Sequence, residues 1–88
     1  MPYIKLEDRM KYLEPLSKII KILRNAPEIQ RDGEANYIIS KILKRGYNPQ
    51  RYHDFNAIMG VLESVKQEFY RRYTAPYEDI KRKENGDI

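Results

Sequence analysis

The chain of 88 residues carries one histidine, His53, no cysteine and four glycines. A zinc site needs three or four nitrogen, sulfur or carboxylate ligands converging on one point. His53 beside Asp54 supplies too few, so no metal and no other cofactor is expected. Ser17, Ser40 and Ser64 all fall inside predicted helices, with no strand-to-helix elbow to expose a hydroxyl to a base. Gly33, Gly46, Gly60 and Gly86 are scattered rather than gathered into a phosphate-cradling loop. On these residue types the chain is expected not to be an enzyme.

The residue type in excess is tyrosine, with eight copies against two phenylalanines and no tryptophan. Tyr12, Tyr37 and Tyr70 are expected at the edge of a core, ring buried and hydroxyl wet. Tyr47, Tyr52, Tyr73 and Tyr77 fall instead at predicted helix ends among basic residues. Arg51, Tyr52 and His53 open one long helix, and Arg71, Arg72 and Tyr73 close it. A ring next to a guanidinium suits a stacked base with its phosphate, the ring holding the base and the fork holding the oxygens. The same pairing also anchors wet protein interfaces. These six residues are the candidate ligand-binding set. The two triplets lie more than about 25 Å apart along one helix at 1.5 Å per residue, so a single ligand reaches both only if a second copy of the chain brings them together.

Charge is unevenly placed. The formal net charge is +4, from 17 basic and 13 acidic residues. No acid occurs between Glu34 and Asp54, whereas Lys41, Lys44, Arg45 and Arg51 all lie in that interval. The excess could attract an anion, or nucleic acid at modest strength. Alternatively, Lys41, Lys44 and Arg45 complement the negative end of a helix dipole.

The elements that must hold these residues are helical. Leu6, Met10, Leu13, Leu16, Ile19, Ile20 and Leu23 recur at steps of three and four, interrupted by Pro15, which predicts a kink or a break into two helices. Ala26-Pro27 closes that segment. Asp32 is expected to cap a second helix with Ala35, Ile38, Ile39, Ile42 and Leu43 on its buried side, and Gly46 to stop it in the left-handed conformation. A third helix begins either at Asn48-Pro49 or nearer His53, with a seam of Phe55, Ile58, Leu62, Val65 and Phe69. Pro76 should end or kink it after Tyr73, leaving a short helix from Tyr77 to about Lys83. Gly60 interrupts the long helix at a cost of about 1 kcal/mol, which suggests that a second helix or a ligand approaches the backbone there. The fold class is all-α, with three to four helices in an antiparallel, bundle-like arrangement and a long third helix.

Eighty-eight residues allow one hydrophobic core, so residues 1–88 are read as a single domain. Without disulfides so small a core is marginal, and self-association is the reinforcement left. No apolar run has the length of a membrane span, and Met1-Pro2-Tyr3-Ile4 lacks the pattern of a signal peptide. A cytoplasmic homo-oligomer with no membrane contact is expected.

Several strings carry a resemblance: Gly33-Glu34-Ala35-Asn36-Tyr37-Ile38-Ile39, Arg51-Tyr52-His53-Asp54-Phe55-Asn56, Gly60-Val61-Leu62-Glu63, Glu68-Phe69-Tyr70-Arg71-Arg72 and Ala75-Pro76-Tyr77-Glu78. Together they resemble a family of short helical proteins found in phages and prokaryotes. The resemblance runs over nearly the whole chain and implies a compact helical protein with a phage connection. It brings no activity and no site residues with it. By analogy of size and context alone, small phage proteins of other families form helical oligomers that sequester nucleotide immune signals. The leading expectation is a non-enzymatic, homo-oligomeric binding protein for a small anionic, nucleotide-like ligand. The alternatives are a protein-interaction module docked through Tyr and Arg, or a weak nucleic-acid binder.

Overall fold

The computed structural model describes residues 3–88. Met1 and Pro2, half of the Met1–Ile4 start, lie outside the described residues. The fold is all-α, and no strand occurs among the described residues. The chain divides into two units, Met1–Asn48 and Pro49–Ile88.

The first unit is a pair of helices, α1 (Leu6–Arg24) and α2 (Glu28–Tyr47). Glu7 and Asp8 in the first turn of α1, and Lys21 and Arg24 in its last, match the sign of the helix dipole. Pro15 does not split this helix. Proline deprives the Lys11 carbonyl of its partner four residues on, but Lys11 is exposed, and water can take that place. The connection is three residues long. Asn25 and Ala26 donate their N–H groups to the carbonyls of Lys21 and Leu23. Arg31 reaches back from α2, its Nη2 donating to the carbonyl oxygens of Arg24 at 3.2 Å and Ala26 at 3.0 Å.

That brace explains why α2 starts earlier than the Asp32 cap predicted from sequence. Pro27 stands at the N-cap with φ −55° and ψ 139°, Glu28 supplies the acid of the first turn, and Arg31 holds the entry from inside the helix. Asp32 and Gly33 are ordinary interior positions. The other end also differs. Gly46 is helical, and the left-handed residue is Asn48, with φ 47°. Asparagine tolerates this conformation better than other side chains do, and Pro49 then forbids a further helical turn.

The second unit is one uninterrupted helical run. It consists of α3 (Tyr52–Phe69), a π-helical turn (Tyr70–Thr74) and α4 (Ala75–Asn85). Phe69, Tyr70, Thr74 and Ala75, which flank the two joints, all have right-handed helical dihedrals. Of the two starts read from sequence, the later one is observed. Pro76 neither ends the run nor separates α4 from it. Its ring would press on the carbonyl four residues back in an α-helix, and the wider π turn just before it shifts the pairing so that the Ala75 N–H meets the Tyr70 carbonyl. The run stops at Gly86, with φ 89°.

A single helix cannot bury its own apolar stripe, and the stripe here is open. Phe69 is 58% exposed and Tyr77 59%. In the first unit, the half-buried Ile19, Leu23, Ala35 and Ile38 lie toward the connection, whereas Leu6 at the far end of α1 is 74% exposed. The buried apolar residue of this unit is Ala26, within the connection itself. The chain exposes 8338 Å². A folded monomer of this mass exposes about 5,500 Å², and even two separate globules of half the mass expose about 6,600 Å². No helix among the described residues is long and apolar enough to cross a membrane.

Within this chain, no helix makes the close approach to Gly60 that the sequence suggests. A Cβ built there meets no atom within 4 Å, and at 100° per residue it lies on the face opposite Phe55, Ile58, Leu62, Val65 and Phe69. Gly60→Ala is therefore expected to stabilise the protein by up to about 1 kcal/mol through helix propensity. Thermal denaturation checks this. A lower melting temperature would mean that something outside the chain packs on Gly60.

Candidate ligand-binding site

The start of α3 is set by one carboxylate. Asp54 Oδ2 accepts from the backbone N–H groups of Gln50 at 3.0 Å and Arg51 at 3.1 Å. This is one half of a capping box; the reciprocal half is closed to arginine, whose side chain has no acceptor. The two backbone donors hold the Asp54 carboxyl below its ordinary range, with a smaller contribution from neighbouring His53. With the backbone fixed in this way, Arg51, Tyr52 and His53 remain on the surface, and Tyr52 is 81% exposed. An open ring flanked by two basic side chains is the arrangement read from sequence.

The other triplet is more engaged. Arg71 Nη2 lies 2.7 Å from Glu68 Oε1. The Arg72 guanidinium sits 5.4 Å from the centre of the Tyr73 ring, within cation–π range. Tyr73 in turn meets Phe69 at 5.0 Å between centroids with planes tilted by 55°. Beside them the Tyr70 hydroxyl donates to Glu78 Oε1 at 2.6 Å, across the π turn. This bond and the Glu78 charge push the Tyr70 phenol above its ordinary value. An anion arriving here must compete with Glu68 for Arg71. Sequence reasoning misses the carboxylates of Glu68 and Glu78, although the Glu68–Arg71 pair has the i,i+3 spacing that allows it.

Tyr52 and Arg71 are separated along the helix by about 28 Å. One copy of the chain therefore does not bring the two triplets together. Of the basic interval, Lys41 lies 5.6 Å from the Tyr37 ring centre, and Lys44 and Arg45 occupy the last turn of α2, as the helix-dipole reading requires. The tyrosines expected at a core edge are not buried: Tyr12, Tyr37 and Tyr70 are exposed, because the helices carrying them leave those faces uncovered. Tyr12 and Tyr37 pair with Lys11 and Lys41 instead. Among the described residues, no group of three or more His, Asp or Glu side chains is placed to hold a metal ion.

The lowered Asp54 value has a consequence for pH. The stability it contributes is complete above the ordinary carboxylate value and is lost as pH falls through the lower value of the folded chain. Asp54→Asn is expected to reduce helicity and melting temperature at neutral pH, and the gap from the parent protein should close in acid. Circular dichroism across that range is the check. A gap of constant size at every pH would show that the charge of Asp54 contributes nothing.

Neither curated proteins nor solved structures give a significant match to the chain. A family match does exist, and it covers residues 1–88. The chain belongs to the family described as Domain of unknown function (DUF6899).

Proposed function

We propose that this chain is a non-enzymatic binding protein that acts as a homo-oligomer and takes up a small anionic, nucleotide-like ligand. The ligand sits where Arg51, Tyr52 and His53 of one copy meet Arg71, Arg72 and Tyr73 of another. The observation that carries this reading is the open Tyr52 ring, 81% exposed between two basic side chains at a helix start whose own cap is already satisfied. Stacking on Tyr52 and charge-assisted hydrogen bonds from Arg51 supply recognition without a reaction. His53 is the lone imidazole, and the nearest carboxylate in sequence, Asp54, is committed to backbone donors, which leaves no oriented acid–base pair. A phage protein of this kind would hold a nucleotide signal of host defence without turning it over. That role rests on analogy of size and context alone. A cytoplasmic setting is part of the same proposal.

A second reading, a protein-interaction module, is favoured by the apolar surface. Ile22, Gly33, Tyr37 and Ile38, with Gln30 and Glu34, line a shallow depression on the first unit, a shape suited to an aromatic or aliphatic anchor.

A thermal-shift screen of nucleotides, cyclic dinucleotides and single-stranded nucleic acid, followed by calorimetry on the best binder, separates these readings. Tyr52→Ala is expected to weaken binding by about 1 to 3 kcal/mol and Arg51→Ala by about 1.5 to 3 kcal/mol, with folding intact. A small ligand should show a shallow salt dependence, and a nucleic-acid strand a steep one. Equal binding by all three proteins would remove the site. No binder in the screen would leave the interaction module as the better reading.

A further inference from the structure

The π turn changes which residues continue the apolar seam. Phe55, Ile58, Leu62, Val65 and Phe69 follow the alternating three- and four-residue steps of a coiled-coil face. Continued strictly, that spacing reaches Arg72 and then Pro76, neither of which suits an apolar seam. A π turn takes up one extra residue within a helix. With the turn at Tyr70–Thr74, the seam passes one position later, through Tyr73 and Tyr77, both more than half exposed.

We propose that a second copy of the chain covers this seam, running antiparallel, with the pairing centred between Glu63 and Ser64. The inference rests on the homo-oligomer reading and specifies its interface. Three observations favour this occupant and direction. The first is area: Phe55, Val65, Phe69, Tyr73 and Tyr77 along this seam are each half or more exposed, one continuous apolar line that a lone helix leaves uncovered. The second is matching. In this pairing Phe55 faces Tyr73 of the other copy, Ile58 faces Phe69, and Leu62 faces Val65, each layer repeated by the two-fold axis. Arg51, at the same face one step earlier, meets the ring of Tyr77, a cation–π partner.

The third observation is charge. Centring the pairing on Tyr52–Ile80 would set Lys66 against its own copy. A parallel pairing would set Arg51 against Arg51. The proposed centre avoids both like-charge contacts. Along the axis it also sets Arg51 and Tyr52 of one copy about one helical turn from Tyr73 of the other, at both ends of the pair, while His53, seven residues before Gly60, shares the outward face. The concentration of cations there is what an anionic ligand neutralises.

The absence of cysteine makes the test direct. Light scattering on the parent chain at about 100 µM is expected to give an oligomer. Leu62→Asp should raise the dissociation constant at least about tenfold, while Ser64→Asp, on the opposite face with the same added charge, should leave it unchanged. Ile58→Cys and Phe69→Cys proteins are then oxidised separately and as a mixture. An inter-chain disulfide should form in the mixture and not in either protein alone. A monomeric parent chain overturns both the interface and the oligomer reading. An oligomeric parent chain whose Ile58→Cys protein links to itself, or whose mixture stays unlinked, overturns the antiparallel seam and leaves self-association standing. Leu62→Asp without effect on mass does the same.

Discussion

A helix satisfies its own backbone but not its own apolar side chains, and this asymmetry governs the molecule. The hydrogen bonds of α1, α2 and the long run from Tyr52 to Asn85 close within each element. The hydrophobic term that must offset chain entropy has no such local solution. In the first unit burial is confined largely to the connection around Ala26, so secondary structure here is specified by short-range rules. Caps and braces accordingly stand out. Asp54 gathers two backbone donors, Arg31 two carbonyls, and Tyr70 spans the π turn to Glu78.

The π turn is where local chemistry and the proposed assembly meet. Proline at position 76 is poorly tolerated in a regular α-helix with normal pairing behind it, and the one-residue widening that accommodates it also rotates every later residue of the run. On the proposed reading, a backbone defect therefore doubles as a phase correction for the seam, so that Tyr73 rather than Arg72 faces a partner. Arg72 is then released to the edge, over the Tyr73 ring, where a cation is useful to an anionic ligand.

Much of this architecture is legible in the residues. The helical class and the apolar seam follow from period, and the start of α3 near His53 is one of the two that caps and prolines allow; the break expected at Pro76 is absent, because the π turn before it relieves the clash. The errors share a cause. Asp32 and Gly46 are strong end signals when taken one residue at a time, but Arg31 braces an earlier start and Asn48 accepts the left-handed conformation two residues later. Side chains reaching five to eight positions along the chain leave no periodic trace. An in-helix glycine demands a reason, and close packing is the usual one, yet the surroundings of Gly60 are open; nothing in the structure explains the choice of glycine there. The exposure of Arg51, Tyr52 and His53 is readable from their place at a helix end. The commitment of Arg71 to Glu68 is readable as well, since Glu68 is the one acid three or four residues from that arginine.

The uninterrupted run from Tyr52 to Asn85 has a kinetic side as well. Its bonds join near neighbours, so it can wind up within microseconds of release from the ribosome, without the slow search that distant pairings impose. On the proposed reading the next stage depends on encounter, and encounter depends on how many copies are present. In a proposed homo-oligomer built this way, abundance itself becomes the clock: sparse chains remain helical, sticky and open to proteases, and accumulation is what converts them into a lasting protein.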